Sequence, residues 1–233
     1  MPWDFWLIFV VLGVLIPWRG RARLQRLLAR SVVDTKEKLV LYGSTIAFQW
    51  ILMAAVVWRA IARGLTASDL GLARHPTVEL LGTSVAGAVV LGAFQWFNLR
   101  RIGRMTGAVP DFMRQLAQRI LPGPPVELAP YFALAITAGI CEEFLYRGFA
   151  MAALNQAGVG SSAVVAISSA LFGLAHTYQG KSGVVGTTLM GLVFGAARVG
   201  SQSLMPVVVW HSVVDLVAGI AGPKYLLVPR VSQ

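Results

Sequence analysis

Charge is what this sequence has least of. Only 13% of its 233 residues are Asp, Glu, Lys or Arg, against about 25% in soluble domains. With 56% hydrophobic residues and a mean hydropathy of +0.68, that shortage excludes an ordinary water-soluble fold and points to an integral membrane protein. There is one cysteine, Cys141, which excludes an internal disulfide and fits a reduced or membrane-buried setting. The opening Met1-Pro2-Trp3-Asp4 lacks the positive n-region and small-residue cleavage site of a signal peptide, so the first apolar run is expected to stay as a span. No basic, aromatic-interleaved soluble module is present. The excess of 20 basic over 10 acidic residues is therefore assigned to loops beside a membrane and not to nucleic acid.

What is there instead is a series of apolar runs. About twenty apolar residues cross a bilayer as a helix, and the candidates are Trp3–Trp18, Leu39–Trp58, Val78–Phe97, Leu128–Tyr146, Ser161–Ala175, Gly183–Ala197 and Leu204–Ile220. Several begin or end at Trp, as interfacial anchors do. The expectation is an all-α fold, a polytopic membrane helix bundle of about seven (six to eight) transmembrane helices, forming one integral membrane domain over residues 1–233. The fourth run should stay helical past Arg147, since Gly148–Ala157 has no strong breaker. Arg19–Lys38 reads as an amphipathic, surface-lying segment. Residues 98–126 carry further Arg at helical spacing and end in Pro122-Gly123-Pro124-Pro125, a breaker before the fourth span. The positive-inside rule favours an outer N-terminus and an inner C-terminus. Gly191-x-x-x-Gly195 reads as close helix packing, and Gly64–Leu72 as a capped polar turn.

Against this background the run Glu142-Glu143-Phe144-Leu145-Tyr146-Arg147 stands out. The preceding Leu128–Cys141 carries no charge, and each charged side chain in a spanning helix costs roughly 2.5–3.5 kcal/mol on insertion scales. Glu143 and Arg147 are four residues apart and can pair on one helix face, which by itself would account for both. Glu142 sits about 100° around the helix and is left over. A carboxylate without a partner in a low-dielectric setting is a candidate general base. Two further motifs lie in apolar runs, Phe172-x-x-x-His176 and His211-x-x-x-Asp215. Singly, His176 fits a hydrogen-bonded helix end, and His211 with Asp215 a local hydrogen bond on one face. Buried polar groups need partners, however, and all three motifs are accommodated together if they converge in one cavity.

In this order the three motifs resemble the signature of the CPBP intramembrane proteases, which include the type II CAAX prenyl endopeptidases and the bacteriocin-processing and self-immunity proteins. The resemblance covers a catalytic core of about residues 125–220; Gly64–Leu72 also resembles a common family element. It implies an intramembrane endopeptidase, a glutamic peptidase with no cofactor and no metal. Glu142 would activate a water and His176 would share its proton. Glu143 and Arg147 would orient the site or the substrate carboxy-terminus, and His211 and Asp215 would stabilise the oxyanion. The prenyl-protease form has Asn where this chain has Asp215. Asp donates a hydrogen bond only when protonated, so either burial keeps Asp215 neutral or Asp215 orients His211 and leaves that imidazole as donor. The partners implied are the lipid bilayer and a peptide or membrane-protein substrate, possibly lipidated. Size and build point to the bacterial cell (inner) membrane.

Two other readings use the same residues. Glu with two His is a catalytic zinc set, although no His-Glu-x-x-His is present. Intramembrane Glu, His and Asp also mark proton relays, or the chain could be a non-catalytic immunity or scaffold protein. No inverted repeat with paired broken helices supports a transporter.

Overall fold

The computed structural model describes residues 1–30, 32–104 and 111–227, and among them regular structure is helical throughout. We number the elements α1 (Trp3–Leu28), α2 (Thr35–Ala62), α3 (Val78–Arg104), α4 (Asp111–Ile120), α5 (Pro125–Gln156), α6 (Ser161–Ala175), α7 (Gly180–Ser201) and α8 (Met205–Leu227). Six of them are long and apolar enough to cross a membrane, and α6 is shorter. At 15 residues and 1.5 Å per residue, α6 reaches about 22 Å, less than the hydrocarbon thickness of about 30 Å. Its C-terminus therefore stops within the bundle. The outward surfaces stay apolar: on α3 alone Val85, Val89, Phe94 and Phe97 are exposed, as faces turned to lipid are.

The helix ends have local causes. Asp34 accepts from the Glu37 backbone N–H at 2.8 Å while Glu37 receives the Asp34 N–H at 3.3 Å, a capping box that starts α2. Pro125 opens α5, where a missing N–H costs nothing. Contrary to the expectation of a separate surface segment beginning at Arg19, α1 runs unbroken to Leu28. A wider π turn, Val11–Leu15, precedes Pro17, whose ring would otherwise crowd the carbonyl four residues back. Arg230, part of the basic tally behind the topology, lies outside the described residues.

Salt bridges and hydrogen bonds pin both ends of the bundle. At one end Asp4 pairs with Arg59 and Arg63. There the 64–72 turn is held by Leu204 N–H donating to the Gly71 carbonyl at 2.9 Å and by Arg198 donating to the Asp69 carbonyl at 2.9 Å. At the other end Lys38 bonds the Leu121 carbonyl and the buried Glu127, tying α2 to the segment before α5. The expected close approach along Gly191-x-x-x-Gly195 is present: a Cβ at these positions would lie 3.0 Å from Ser169 and 2.8 Å from Val165 of α6. The main core, with Phe5, Leu12, Val56, Phe149, Phe172 and Phe194, surrounds the middle of α5.

Candidate active site

Helix α5 changes geometry where the charges begin. It is α-helical to Glu143 and π-helical over Phe144–Ala150. A π turn is a rare insertion, found mostly at functional sites, and here Glu143 and Arg147 turn to one side and Glu142 and Tyr146 to a cavity on another. Glu143 and Arg147 are fully buried. Arg147 Nη1 donates to Glu143 Oε1 at 2.9 Å, the pairing expected from their spacing, and its guanidinium lies over the Phe172 ring, 4.2 Å from the centroid.

His211, on α8, also goes to Glu143. Its Nδ1 is 2.7 Å from the same Oε1, and since a carboxylate only accepts, Nδ1 carries the hydrogen. The structure ties His211 to Glu143, because the face of α8 that carries it packs against the buried side of α5. Asp215 stands 3.6 Å from His211 Nε2, with its own side chain 37% exposed; a close local His–Asp hydrogen bond is not made.

Glu142 faces the other way, into a cavity of about 220 Å³ between α1, α2, α5 and the end of α6. Its Oε2 is 3.8 Å from His176 Nε2, too far for a direct hydrogen bond but a separation that one water spans. His176 is the C-cap of α6, and its Nδ1 sits 2.8 Å from the Phe172 carbonyl. A carbonyl can only accept, so Nδ1 holds a hydrogen and Nε2 is the ring nitrogen turned towards Glu142. The Phe172-x-x-x-His176 spacing is thus an i→i+4 side-chain bond that orients the ring.

The site has members that the sequence argument missed. Gln49 of α2 donates from Nε2 to Glu142 Oε1 at 2.8 Å, which leaves Oε2 for the His176 side. Tyr146 and Tyr178 line the same cavity, as do Arg19 and Arg23. Arg23 bonds Thr45, Ser44 and the Leu41 carbonyl across the gap between α1 and α2. Gln49 is a single polar residue in an apolar run and Arg23 one of several Arg in a basic stretch, so neither carries a motif. The signal available was only that Gln49 is a polar residue inside a span. Among the described residues no three His, Cys, Asp or Glu side chains converge as a metal set.

These observations define a class first: a polytopic helical membrane protein with a carboxylate and an imidazole facing each other in the wall of an apolar cavity. Residues 124–217 match the Rce1-like family, described as type II CAAX prenyl endopeptidase, and this segment is what the chain shares with that family. The matched segment holds all six residues singled out from the sequence and begins just ahead of α5. No curated protein and no solved structure matches the chain.

Proposed function

We propose that the protein is an intramembrane glutamic endopeptidase that cleaves a membrane-associated peptide or protein, with Glu142 as general base. The observation that carries this reading is the facing of Glu142 Oε2 and His176 Nε2 at 3.8 Å, in the wall of one cavity. A water held between them gives its proton to Glu142 as its oxygen attacks the peptide carbonyl carbon. The carbonyl π electrons move to oxygen; when the tetrahedral intermediate collapses, the C–N bond breaks and the amine takes the proton back, through His176. Glu143, Arg147 and His211 form the rigid support beneath. Between the Glu143 and Asp215 carboxylates the His211 ring can hold a hydrogen on both nitrogens, and in that form its Nε2–H, not engaged by Glu143, is a donor for the oxyanion role.

Gln49 supports Glu142 as base by fixing one carboxylate oxygen, so that the other meets the water. The apolar walls suit an apolar or lipidated peptide reaching the site from the bilayer. The bacterial inner membrane is the setting this build fits.

The test is cleavage of a panel of membrane-inserted peptides in proteoliposomes, read by mass spectrometry. Wild type should cut at a defined bond, and Glu142→Gln should cut at least about 1,000-fold more slowly while expressing and melting as wild type does. A Glu142→Gln protein that cleaves at the wild-type rate would refute the assignment.

A further inference from the structure

One polar group in the cavity wall is not used by this chemistry. Tyr146 is 1% exposed, its Oη has no hydrogen-bond partner among the described residues, and it lines the same cavity as Glu142 and His176. Its ring is accounted for, packed edge-on against Phe172 at 5.4 Å between centroids. Its backbone is accounted for too, since Ser168 donates to the Tyr146 carbonyl at 2.7 Å. The hydroxyl alone has no structural employment. Burying a hydroxyl without a partner is unfavourable, and phenylalanine would fill the same space without that cost. Tyr146 also stands one turn from Glu142 within α5, and the π turn that begins at Phe144 widens that step, so both side chains front one cavity.

We infer that the Tyr146 hydroxyl donates a hydrogen bond to the substrate's scissile carbonyl, and that this bond strengthens as the carbonyl oxygen becomes an oxyanion. The inference rests on the peptidase reading and adds to it a group that touches the reacting atoms. When the water oxygen bonds to the carbonyl carbon, the C=O π pair moves onto oxygen. Tyr146 keeps its proton and shares it with that oxygen, and when the C–N bond breaks the pair returns. No co-reactant beyond the water is needed. Hydrolytic sites that use such donors commonly supply two. His211 Nδ1 is engaged by Glu143, so that imidazole has one nitrogen left to offer, and Tyr146 supplies a second donor from the cavity wall.

Tyr146→Phe removes one oxygen atom and keeps the ring, which makes the outcome unusually direct. In proteoliposomes kcat should fall about 100-fold, the size expected for one oxyanion donor, with KM within about threefold. The melting temperature should be equal to or higher than that of wild type, because an unpaired buried hydroxyl has been removed. A second readout is independent of turnover: a peptide phosphinate, whose tetrahedral P–O⁻ stands in for the intermediate, should bind Tyr146→Phe at least about tenfold more weakly than wild type. Equal kcat, a loss confined to KM, a lowered melting temperature that accounts for the lost activity, or equal phosphinate affinity would each overturn the inference. Glu142→Gln, measured alongside, separates the two levels. If Glu142→Gln is inactive and Tyr146→Phe is not impaired, only the Tyr146 inference falls. If Glu142→Gln stays active, the base assignment falls, and the phosphinate comparison still decides the role of Tyr146.

Discussion

At the scale of single residues, the two adjacent glutamates have opposite environments and should respond oppositely to mutation. Glu143 is locked between Arg147 and His211, so removing one partner strands a buried charge. Arg147→Met should destabilise the protein by about 3–5 kcal/mol, measured by denaturant titration in micelles, and the double variant Glu143→Gln/Arg147→Met should recover a large part of that loss. If the single and double variants are equally unstable, the pair is not coupled as the 2.9 Å contact requires. Glu142, by contrast, is held by one amide. Gln49→Leu should lower kcat by up to about 100-fold through misplacement of the base and leave KM nearly unchanged, a split that a general packing defect would not give. The pairing of Glu143 with Arg147 was legible from the sequence, because helical periodicity alone brings positions four apart together. The Gln49 contact was not, because it spans 93 residues and depends on how α2 is rotated against α5. The partner of His211 was not legible for the same reason: which of two neighbouring glutamates it meets is set by helix rotation, and sequence spacing carries no record of that.

At the scale of elements, the count of apolar runs was readable and their internal geometry was not. All seven runs are helices, but the π turns in α1 and α5, the extension of α1 to Leu28 and the early stop of α6 arise from packing and from backbone strain at Pro17. That early stop is what brings a C-cap imidazole to the depth of Glu142. The turn at 64–72, bland in the sequence, is an anchor. Gly71 has φ +74° and lies against Arg198, where a Cβ would be 2.4 Å from Nε; Gly71→Ala should therefore weaken the join between this turn and α7. Within the turn, hydrogen bonds from the Thr66 hydroxyl and backbone N–H hold the exposed Asp69 carboxyl below its ordinary value of 3.8. Such a group stabilises the fold while ionised, so its contribution is full at neutral pH and is lost as pH falls through 3.8 and below. Asp69→Asn should lower the melting temperature by about 2–4 °C at pH 7 and by less at pH 3, where wild type has lost the same contribution. An equal difference at both pH values would show that the carboxylate charge is not what matters.

For the molecule as a whole, the decisive arrangement is that the three motifs and the cavity wall facing them lie on different helices, joined at the site by Gln49. α5, α6 and α8 carry every residue of the three motifs, all within the matched segment 124–217. α1 and α2, which precede that segment, form the wall of the cavity opposite Glu142. Along the cavity α1 and α2 are joined by long side chains, Arg23 reaching Thr45 and Ser44, and Arg19 lying over the Phe48 ring at 4.3 Å. Specificity should then be changeable from the N-terminal helices without touching the catalytic half. Thr45 lines the cavity and has no role in the proposed proton transfers, so Thr45→Trp tests the division. A bulky indole there would occupy much of a cavity of about 220 Å³. It should reduce kcat/KM for an apolar peptide at least about tenfold, mainly through KM, with the melting temperature close to that of wild type. Unchanged kcat/KM would mean that substrate reaches Glu142 by another route, and a loss mainly in kcat would mean that the indole disturbs the Gln49 contact to the base and not binding alone.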